Sequence, residues 1–328
     1  MRIASFLLLI FVFSCGPATK KKRIQRTFDL ANQKLEEGYF AEAAALYSSV
    51  IEKDPEIIDA FMNRGVAYYE SGRYVLALAD YNHVYFNYPE YTDVVFNRVY
   101  CHLELGRYES AEKDIQELRR IYPDSALIDV IDGLLWEKLK VYSKAVLSFG
   151  EAIKKDENNF DAWSNRGIIQ MHLKNFDQAD VDLRQALKIN ENAPEALNPL
   201  SLVLAEKGKG EEADSLIMTA LQMIPDHPYF LNNRGFIHMT INNLDLSDSL
   251  IQKSLRLDST NAHAYKNLGA LRMIQNKPDE ALKNLEKSLR LDSGIVETYD
   301  LMAVYFERYG GPYHMVDILN MKKKYEYR

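Results

Sequence analysis

Small and apolar residues recur along this chain at a constant interval of 34 positions. When the sequence is divided into 34-residue frames that begin at Ile24, the fourth, eleventh and twenty-fourth places are mostly aromatic or aliphatic. The twentieth places of the eight frames hold one small residue each: Ala43, Ala77, Ala111, Ala145, Ala179, Ala213, Ser247 and Ala281. Such a period, sustained without an insertion, predicts helix pairs that stack side by side over residues 24–295.

Turn-forming residues divide each frame into two helices. In four frames the thirty-second place is a proline that prevents the second helix from continuing: Pro55, Pro89, Pro123 and Pro225. The fifteenth place lies between the two helices, where Gly or Asn suits the left-handed conformation that ends a helix. This place holds Gly38, Gly72, Gly106, Lys140, Lys174, Gly208, Asn242, Asn276 and, in an incomplete ninth frame, Gly310.

Glycine also recurs at the eighth place, inside the first helix of five predicted pairs: Gly65, Gly133, Gly167, Gly235 and Gly269. We expect the two helices of a pair to approach closely there, with the small twentieth-place residue opposite the glycine. The residues of the fourth, eleventh and twenty-fourth places would then fill the space between pairs. Pro199 lies inside an expected first helix and predicts a kink or a delayed helix start near Asn198. Residues 296–328 begin a ninth frame and are expected to form a partial repeat and a cap.

The second frame carries the clearest motif: Phe61-x2-Arg64-Gly65-x2-Tyr68, followed by Gly72, Tyr74, Ala77, Tyr81 and Pro89. This motif resembles the tetratricopeptide repeat (TPR), and the spacing extends over all eight frames. The resemblance implies an all-α fold, a right-handed α-α superhelix (a TPR solenoid) of eight 34-residue repeats with a C-terminal capping helix pair. It also implies that the concave surface, formed mainly by the first helices, binds a protein or peptide.

The N-terminal residues have the form of an export signal. The apolar run of residues 6–13 follows Arg2, and eight helical residues reach only about 12 Å, which is too short to cross a hydrocarbon core of about 30 Å. The sequence Ser14-Cys15-Gly16 resembles the bacterial lipoprotein cleavage site, which implies a signal peptide at residues 1–14 and lipidation, for example by palmitate, of Cys15. An ordinary signal peptide with an incidental cysteine is the alternative.

Charge is distributed unevenly along the chain. The net charge is −7, although residues 20–26 hold five basic residues and no acidic one. Residues 15–23 are therefore expected to form a lipidated cysteine and basic linker, attracted to anionic head groups or simply solvated. The rest of the chain is more acidic than the total, which argues against nucleic acid as a partner. Cys101, the only other cysteine, lies in an apolar helical stretch and is expected in the core.

Enzymatic signatures are absent from the sequence. No HExxH, GxSxG or glycine-rich phosphate motif occurs, and no Cys/His cluster has metal-binding spacing. His102 and His238 share the eleventh place, which normally holds a packing aromatic residue, so we expect both in the core. The sequence therefore predicts a protein that is not an enzyme and carries no cofactor or metal.

Asparagine recurs at the sixth place, on the expected concave lining: Asn63, Asn97, Asn165, Asn233 and Asn267. In some TPR superhelices, such as the arm of O-GlcNAc transferase, an asparagine ladder at the corresponding place grips a peptide backbone. An amide suits that task because it both donates and accepts hydrogen bonds. The alternative is that these asparagines serve helix packing.

Apolar and acidic side chains accompany each other in the first three repeats. The fifth, ninth and twelfth places hold Phe28, Met62, Val66, Tyr69, Phe96, Tyr100 and Leu103, and beside them lie Glu36, Glu70, Glu104, Asp59 and Asp93. An exposed aromatic stripe with an acidic border predicts a site for an extended segment with basic and apolar side chains. The alternative is a solvated charged ridge over packing aromatics.

Together these observations predict a lipid-anchored adaptor in the bacterial cell envelope, facing the periplasm, that binds a protein or peptide partner in its groove. Similar TPR lipoproteins dock cell-wall hydrolases, proteases or assembly factors, so the resemblance implies such partners. The alternative is a structural subunit of an envelope assembly that uses its convex or end surfaces. A two-carboxylate clamp for chaperone C termini is not supported, because Lys266 has Ala270 at the partner place.

Overall fold

The computed structural model describes residues 17–311, 318 and 320–323. None of the described residues lies in a strand, residues 318 and 320–323 are helical, and up to residue 309 this part of the chain forms seventeen helices. Their bounds, in chain order from α1 to α17, are Pro17–Glu36, Phe40–Lys53, Ile58–Glu70, Tyr74–Asn87, Val94–Glu104, Tyr108–Ile121, Ala126–Lys138, Tyr142–Lys155, Phe160–His172, Phe176–Ile189, Pro194–Glu206, Gly210–Met223, Pro228–Thr240, Leu244–Leu257, Ala262–Ile274, Pro278–Leu291 and Val296–Tyr309. The expected signal peptide and Cys15 lie outside the described residues.

The helix boundaries follow the 34-residue period. Every second helix begins at the seventeenth place of its repeat, from Phe40 in α2 to Pro278 in α16. The first helices of repeats 2 and 4 to 8 begin at the first place, and only α5 begins two residues late, at Val94. The two helices of each of the eight repeats pack against each other. The prediction of an all-α fold built from repeated helix pairs is confirmed.

The fifteenth place has the same backbone conformation in all nine frames. Its φ angle is positive at every residue, whether that residue is Gly, Asn or Lys. The two lysines, with φ of 58° at Lys140 and 60° at Lys174, adopt a conformation that side chains with a Cβ rarely take. The turn therefore imposes its geometry on the residue, and the expected left-handed turn is confirmed even where glycine is missing.

The eighth-place glycines lie directly under a large side chain of the partner helix. A Cβ on Gly65 would lie 2.5 Å from Tyr81 Cε1, and one on Gly133 would lie 2.5 Å from Phe149 Cε1. The covering residue is that of the twenty-fourth place, in the same pair. This residue closes the gap within its own pair, which was not predicted. It also contributes between pairs, as expected, since Phe149 shares a core cluster with Ala162 and Ile169 of the next repeat.

The chain divides into two compact units, Met1–Pro123 and Asp124–Arg328, which we call the N-terminal and C-terminal units. The N-terminal unit holds repeats 1 to 3, with a core around Tyr47. The C-terminal unit holds repeats 4 to 8 and α17, and in it each first helix contacts the next, from α7 to α17. Its successive second helices make no comparable contact among the described residues, so the first helices line the inner side of its curve.

Both ends of the helical array depart from the repeat. Residues 17–23, expected in a basic linker, belong to α1, whose first helical turns carry the exposed cations of residues 20–23. At the other end α17 stops before Gly310, and the buried Ile318 packs in the core cluster that includes Tyr299. Lys322 Nζ donates to Asp300 Oδ1 at 2.7 Å, which ties the last described segment to α17.

Pro199 is accommodated inside α11, which begins on schedule at Pro194, so the expected delayed start is wrong. Proline has no N–H for the carbonyl of Glu195, four residues earlier. Ser164 Oγ of α9, which is buried, donates to that carbonyl oxygen at 3.5 Å. A side chain of the preceding repeat thus offers the carbonyl a substitute donor.

Polar pairs, which the sequence pattern did not predict, connect the two helices of repeats 2 to 5 at the seventh and twenty-third places: Arg64–Asp80, Arg98–Asp114, Asp132–Ser148 and Arg166–Asp182. In repeats 7 and 8 an arginine of the first helix pairs instead with the preceding second helix: Arg234–Asp214 and Arg272–Asp248. Each pair satisfies groups that would be costly to leave unpaired at a helix contact.

One of these pairs is strongly perturbed by burial. Arg98 Nη2 donates to Asp114 Oδ1 at 3.2 Å, and the guanidinium lies 3.8 Å from the ring centre of Tyr85. Burial raises the pKa of Asp114 to about 6, although Arg98 opposes the shift. Burial, with help from Arg98, lowers the pKa of the neighbouring His102 to about 4. His102 and His238 are both buried, as expected for core residues.

We expect Gly133→Ala to lower the free energy of unfolding by about 1–3 kcal/mol, because the new methyl group would overlap the buried ring of Phe149. The matched control is Gly150→Ala in α8, where the added Cβ would meet only Arg166 Nη1, at 3.6 Å. There we expect a gain of about 0.5–1 kcal/mol from helix propensity. Urea unfolding of the two variants checks this, and shifts of the same sign would contradict it.

The pH dependence of stability is expected to contain two opposing contributions. The folded state binds the Asp114 proton more tightly than the unfolded state, so acidification from pH 7 towards pH 4 stabilises through this residue. His102 has the opposite shift and destabilises over the same range. Each pKa shift corresponds to a contribution of about 3 kcal/mol to the free energy of unfolding.

Single variants should separate the two contributions. Relative to the parent, His102→Phe should become more stable as the pH falls from about 7 to about 4.5, and Asp114→Asn less stable. Urea titrations at the two pH values measure how the free energy of unfolding of each protein changes with pH. The change with pH is compared, and not the stability at one pH, because Asp114→Asn also leaves Arg98 without its counter-ion and so alters stability at every pH. If the free energy of unfolding changed with pH in both variants as it does in the parent, neither group would be responsible for the pH dependence.

Candidate functional site

The N-terminal unit contains a cleft between α3 and α5 with a volume of about 290 Å³. Tyr69, Glu70, Asn97 and Tyr100, all predicted as binding residues, line it together with Val66 of the predicted apolar stripe. Tyr81 completes the lining, and it is the side chain that covers Gly65. The floor of the cleft is therefore fixed by the same contact that sets the spacing of the helix pair. We call this site the N-terminal cleft.

The N-terminal cleft is aromatic and electrically negative. The ring of Tyr69 meets Tyr74 edge-on, with 5.2 Å between ring centres. Burial raises the pKa of Tyr69 to about 12, and the charges of Glu104 and Glu70 act in the same direction. The phenol thus stays protonated, beside carboxylates that favour a cation. Tyrosine faces and carboxylates together can hold an ammonium or guanidinium group.

The remaining predicted apolar residues of the N-terminal unit are partly buried rather than open. Phe28 packs edge-on against Tyr47 with 5.7 Å between ring centres, and Phe96 lies 5.8 Å from Tyr122. Met62 is half-buried on α3. Leu103, expected in the exposed stripe, is instead a core residue. The stripe is thus interrupted, and each open ring rests on another ring.

The predicted acidic side chains are exposed, at the C-terminal ends of successive first helices: Glu36, Glu70 and Glu104. Glu36 contributes to raising the pKa of Tyr47, and Glu104 acts on Tyr69 as described above. The charges of Glu36 and Glu104 therefore act on tyrosine side chains of the N-terminal unit. An exposed acidic border raises the association rate of a basic partner more than its final affinity.

Three of the five predicted asparagines donate to an asparagine of the preceding first helix. Asn63 Nδ2 donates to Asn32 Oδ1 at 3.2 Å, and that oxygen also accepts from the Tyr47 hydroxyl at 2.6 Å. Asn233 and Asn267 make comparable bonds in the C-terminal unit. These amides therefore have a packing role, which leaves part of their hydrogen-bonding capacity for a ligand.

The asparagines of the C-terminal unit form a continuous chain across α15, α13 and α11. Asn267 Nδ2 donates to Asn232 Oδ1 at 3.0 Å, and Asn232 Nδ2 donates to Asn233 Oδ1 at 3.2 Å. Asn233 Nδ2 then donates to Asn198 Oδ1 at 2.8 Å. All three bonds run in the same sense, so the amides polarise one another. Asn232 and Asn198, both at the fifth place, were not predicted.

Asn165, the remaining predicted asparagine, lies in a separate cleft of about 400 Å³ between α9 and α11. Ser164, Pro199 and Asn198 share its lining. The cleft adjoins the point where Ser164 donates to the Glu195 carbonyl. The interruption at Pro199 thus displaces the asparagine pattern from the sixth to the fifth place, because Asn198 continues it.

A larger groove of about 550 Å³ lies over the asparagine chain, and we call it the C-terminal groove. Side chains from α9, α11, α13, α15 and α17 line it, together with two residues that follow α9. Besides the four asparagines of the chain, the lining consists of Met171, His172, Lys174, Phe176, Leu202, Glu206, Tyr229, Phe236, His263, Lys266 and Glu297. The ionisable members of the lining lie at the second, fifth, thirteenth and fifteenth places of their frames, so reading these places would have found them.

The ionisable groups of the C-terminal groove act on one another across it. Burial lowers the pKa of Lys266, and the charges of Glu297 and Glu206 oppose the shift. Burial and the charge of Lys266 lower the pKa of His263. Glu297 lies on α17 and Glu206 on α11, so the groove draws together charges from repeats far apart in sequence. Its surface suits a polar ligand better than a purely apolar one.

Cys101 is buried, and burial raises the pKa of its thiol to about 12, as expected for a core cysteine rather than a reactive one. Among the described residues, no three His, Cys, Asp or Glu side chains are placed to hold a metal ion. The same part of the chain contains no helix that is both long and apolar enough to span a bilayer.

Comparison with protein families identifies the repeat. Models of the tetratricopeptide repeat match residues 28–92, 93–125 and 160–193. No curated protein sequence matches the chain.

Solved structures share the fold. A chain of the Cut9–Hcn1 hetero-tetramer of the APC/C is similar over 81% of this chain, with a TM-score of 0.64 and 16% identity. This chain spans 52% of that one. The pilF protein of Pseudomonas aeruginosa is similar over 66% of this chain and 98% of its own, with a TM-score of 0.52 and 17% identity. A tetratricopeptide repeat protein of Parabacteroides merdae covers 87% of this chain and 99% of its own, at a TM-score of 0.46 and 14% identity.

Proposed function

We propose that this chain, in which tetratricopeptide repeats are recognised, is a lipid-anchored adaptor that holds a protein partner against the first helices of its repeats. The observation that carries the proposal is the N-terminal cleft, where Tyr69, Tyr100, Asn97 and Glu70 converge from α3 and α5. A cleft with tyrosine walls and a carboxylate border suits an extended segment with basic and apolar side chains.

The asparagines support the same proposal. An amide on the cleft wall, such as Asn97, can pair with a backbone N–H and C=O whatever the side chain of the ligand. Aromatic residues then supply affinity through buried area. In this arrangement the acidic border formed by Glu36, Glu70 and Glu104 steers the segment towards the cleft, and its effect weakens as salt concentration rises.

The proposed anchor rests on the sequence of the N-terminus and on α1. Ser14-Cys15-Gly16 supplies the acceptor for the lipid, and the exposed cations that follow lie on the first turns of α1. Each cation near an anionic leaflet is worth about 1 kcal/mol. The adaptor would therefore lie close to a membrane of the bacterial cell envelope, facing the periplasm, with its N-terminal unit nearest to the lipid.

A second candidate function is a structural subunit that uses its outer face. The observation that favours it is α4, a second helix whose only charged side chain, Asp80, is buried. Phe86 of this helix is 72% exposed and Val75 is 59% exposed. Large apolar side chains at such exposure often belong to an interface.

Matched aromatic variants distinguish the two candidates. We expect Tyr100→Ala to abolish crosslinking of the partner in membrane pulldowns, because it removes a wall of the N-terminal cleft. Phe86→Ala, which removes an exposed ring from the outer face of the same unit, should leave capture intact. The reverse result would favour the structural subunit. The charge reversal Glu70→Lys, at an exposed position that should not affect folding, should also reduce capture.

The anchor is tested by Cys15→Ser. We expect the variant to move from the membrane to the soluble fraction and to lose metabolic labelling by a palmitate analogue, because no acyl chain can be attached. Removing the basic charges of residues 20–23 should weaken membrane attachment in high salt without abolishing labelling. A Cys15→Ser protein that stays in the membrane and still takes up label would refute the lipid anchor.

A further inference from the structure

The hydroxyl group of Tyr81 lies at the N-terminal cleft without a hydrogen-bond partner. The side chain is only 2% exposed and lines the cleft, yet within the described part of the chain its oxygen neither donates nor accepts a hydrogen bond. Burial raises the pKa of this phenol, so the group stays protonated. Buried tyrosine hydroxyls in proteins normally have a partner. The missing partner therefore points to a ligand in the cleft.

The equivalent tyrosine of repeat 1 shows which group is missing. Tyr47 occupies the same twenty-fourth place as Tyr81, and its hydroxyl donates to Asn32 Oδ1 at 2.6 Å. Asn32 is the ninth residue of its repeat, and the ninth residue of repeat 2 is Val66, which also lines the cleft. Valine has no hydrogen-bonding side chain. Repeat 2 thus has the buried tyrosine without the amide that satisfies it.

The other polar groups of the cleft are also acceptors without a cation. Among the described residues, the Tyr69 hydroxyl and the Asn97 amide make no hydrogen bond, and Glu70 makes no ion pair. The lining contains no Lys, Arg or His. Phenol oxygens, an amide oxygen and a carboxylate can all accept. A ligand group that fits them carries a positive charge and several N–H donors.

The protein places its own arginines where a ring and a buried carboxylate lie together. Arg166 lies 4.8 Å from the ring centre of Trp163 and pairs with Asp182, and Arg98 is held in the same way. Lys144 also lies over a ring, but it is exposed and has no carboxylate partner in the part of the chain that the structure describes. The guanidinium group is planar, has five donors and is more weakly hydrated than an ammonium group. It therefore suits a tyrosine-lined cleft better than lysine does.

We propose that the N-terminal cleft binds one arginine side chain of the partner, whose guanidinium group donates to the Tyr81 oxygen and to Glu70 and lies against the ring of Tyr69. The proposal rests on the proposed function, because it names the residue by which the basic segment is recognised. A volume of about 290 Å³ is at the lower limit of ordinary ligand pockets, which hold about 300–1,000 Å³. The cleft therefore accommodates a single side chain, and the rest of the segment lies outside it.

Peptide selection on the purified full-length protein tests the proposal. Random peptides of twelve residues are selected for binding, and those that also bind the Tyr100→Ala variant are removed, so that the remaining peptides depend on the cleft. Each is synthesised with its arginine, with lysine and with citrulline, which has the shape of arginine without the charge. We expect a shared arginine and, by fluorescence anisotropy, about tenfold weaker binding of the lysine and citrulline forms.

Two tyrosine variants test the contact with the hydroxyl group. Tyr81→Phe retains the ring over Gly65 and should weaken the arginine peptides about tenfold, without lowering the melting temperature, because the lost oxygen has no partner in the described chain. Tyr47→Phe is the matched control. It loses the bond to Asn32, so it should lower the melting temperature and leave peptide affinity unchanged.

Three results would overturn the proposal: equal affinity of the arginine and lysine forms, unchanged affinity in Tyr81→Phe, and no selected peptide that depends on Tyr100. The proposed function is judged separately by partner capture. If capture requires Tyr100 but the peptides do not distinguish arginine from lysine, the adaptor stands and this inference fails. If the arginine peptides bind as expected but Tyr100→Ala still captures the partner, the inference stands and the proposed function fails.

Discussion

The geometry of this protein depends on one contact, present in five of the eight helix pairs, where a glycine of the first helix lies under a large side chain of the second. Gly133 and Phe149 leave no room for even a methyl group between them. The left-handed residue seven positions later turns the chain back so that the contact can form. Once these two features fix the pair, stacking gives the first helices within each unit the same orientation relative to their neighbours. The clefts are the spaces that this arrangement leaves open.

The sequence predicts this framework well because its determinants are local. Helix starts, the positive φ at the fifteenth place and the core position of Cys101 all follow from residues within one frame. Lys140 is instructive, since its frame lacks the expected glycine and the turn forms nonetheless. There the regular stacking of neighbouring repeats outweighs the preference of a single residue.

The binding surfaces are less predictable because they depend on residues far apart in the chain. Tyr69, Glu70, Asn97 and Tyr100 could be placed in one cleft because adjacent repeats carry them. Lys266 and Glu206 come together only through the curvature of the C-terminal unit, which no single frame encodes. The two sites consequently differ in chemistry, one with aromatic walls and acidic groups, the other with amides around a cation.

The asparagine chain beneath the C-terminal groove has a further consequence. Its three hydrogen bonds share one sense, from Asn267 on α15 to Asn198 on α11. The chain of amides therefore has an acceptor end, at Asn267 Oδ1, and a donor end, at Asn198 Nδ2. A polypeptide also has a direction, since its N–H and C=O groups alternate in a fixed order. A guest strand laid along this floor in its two orientations would therefore meet the donor end and the acceptor end in opposite order, independently of its side chains.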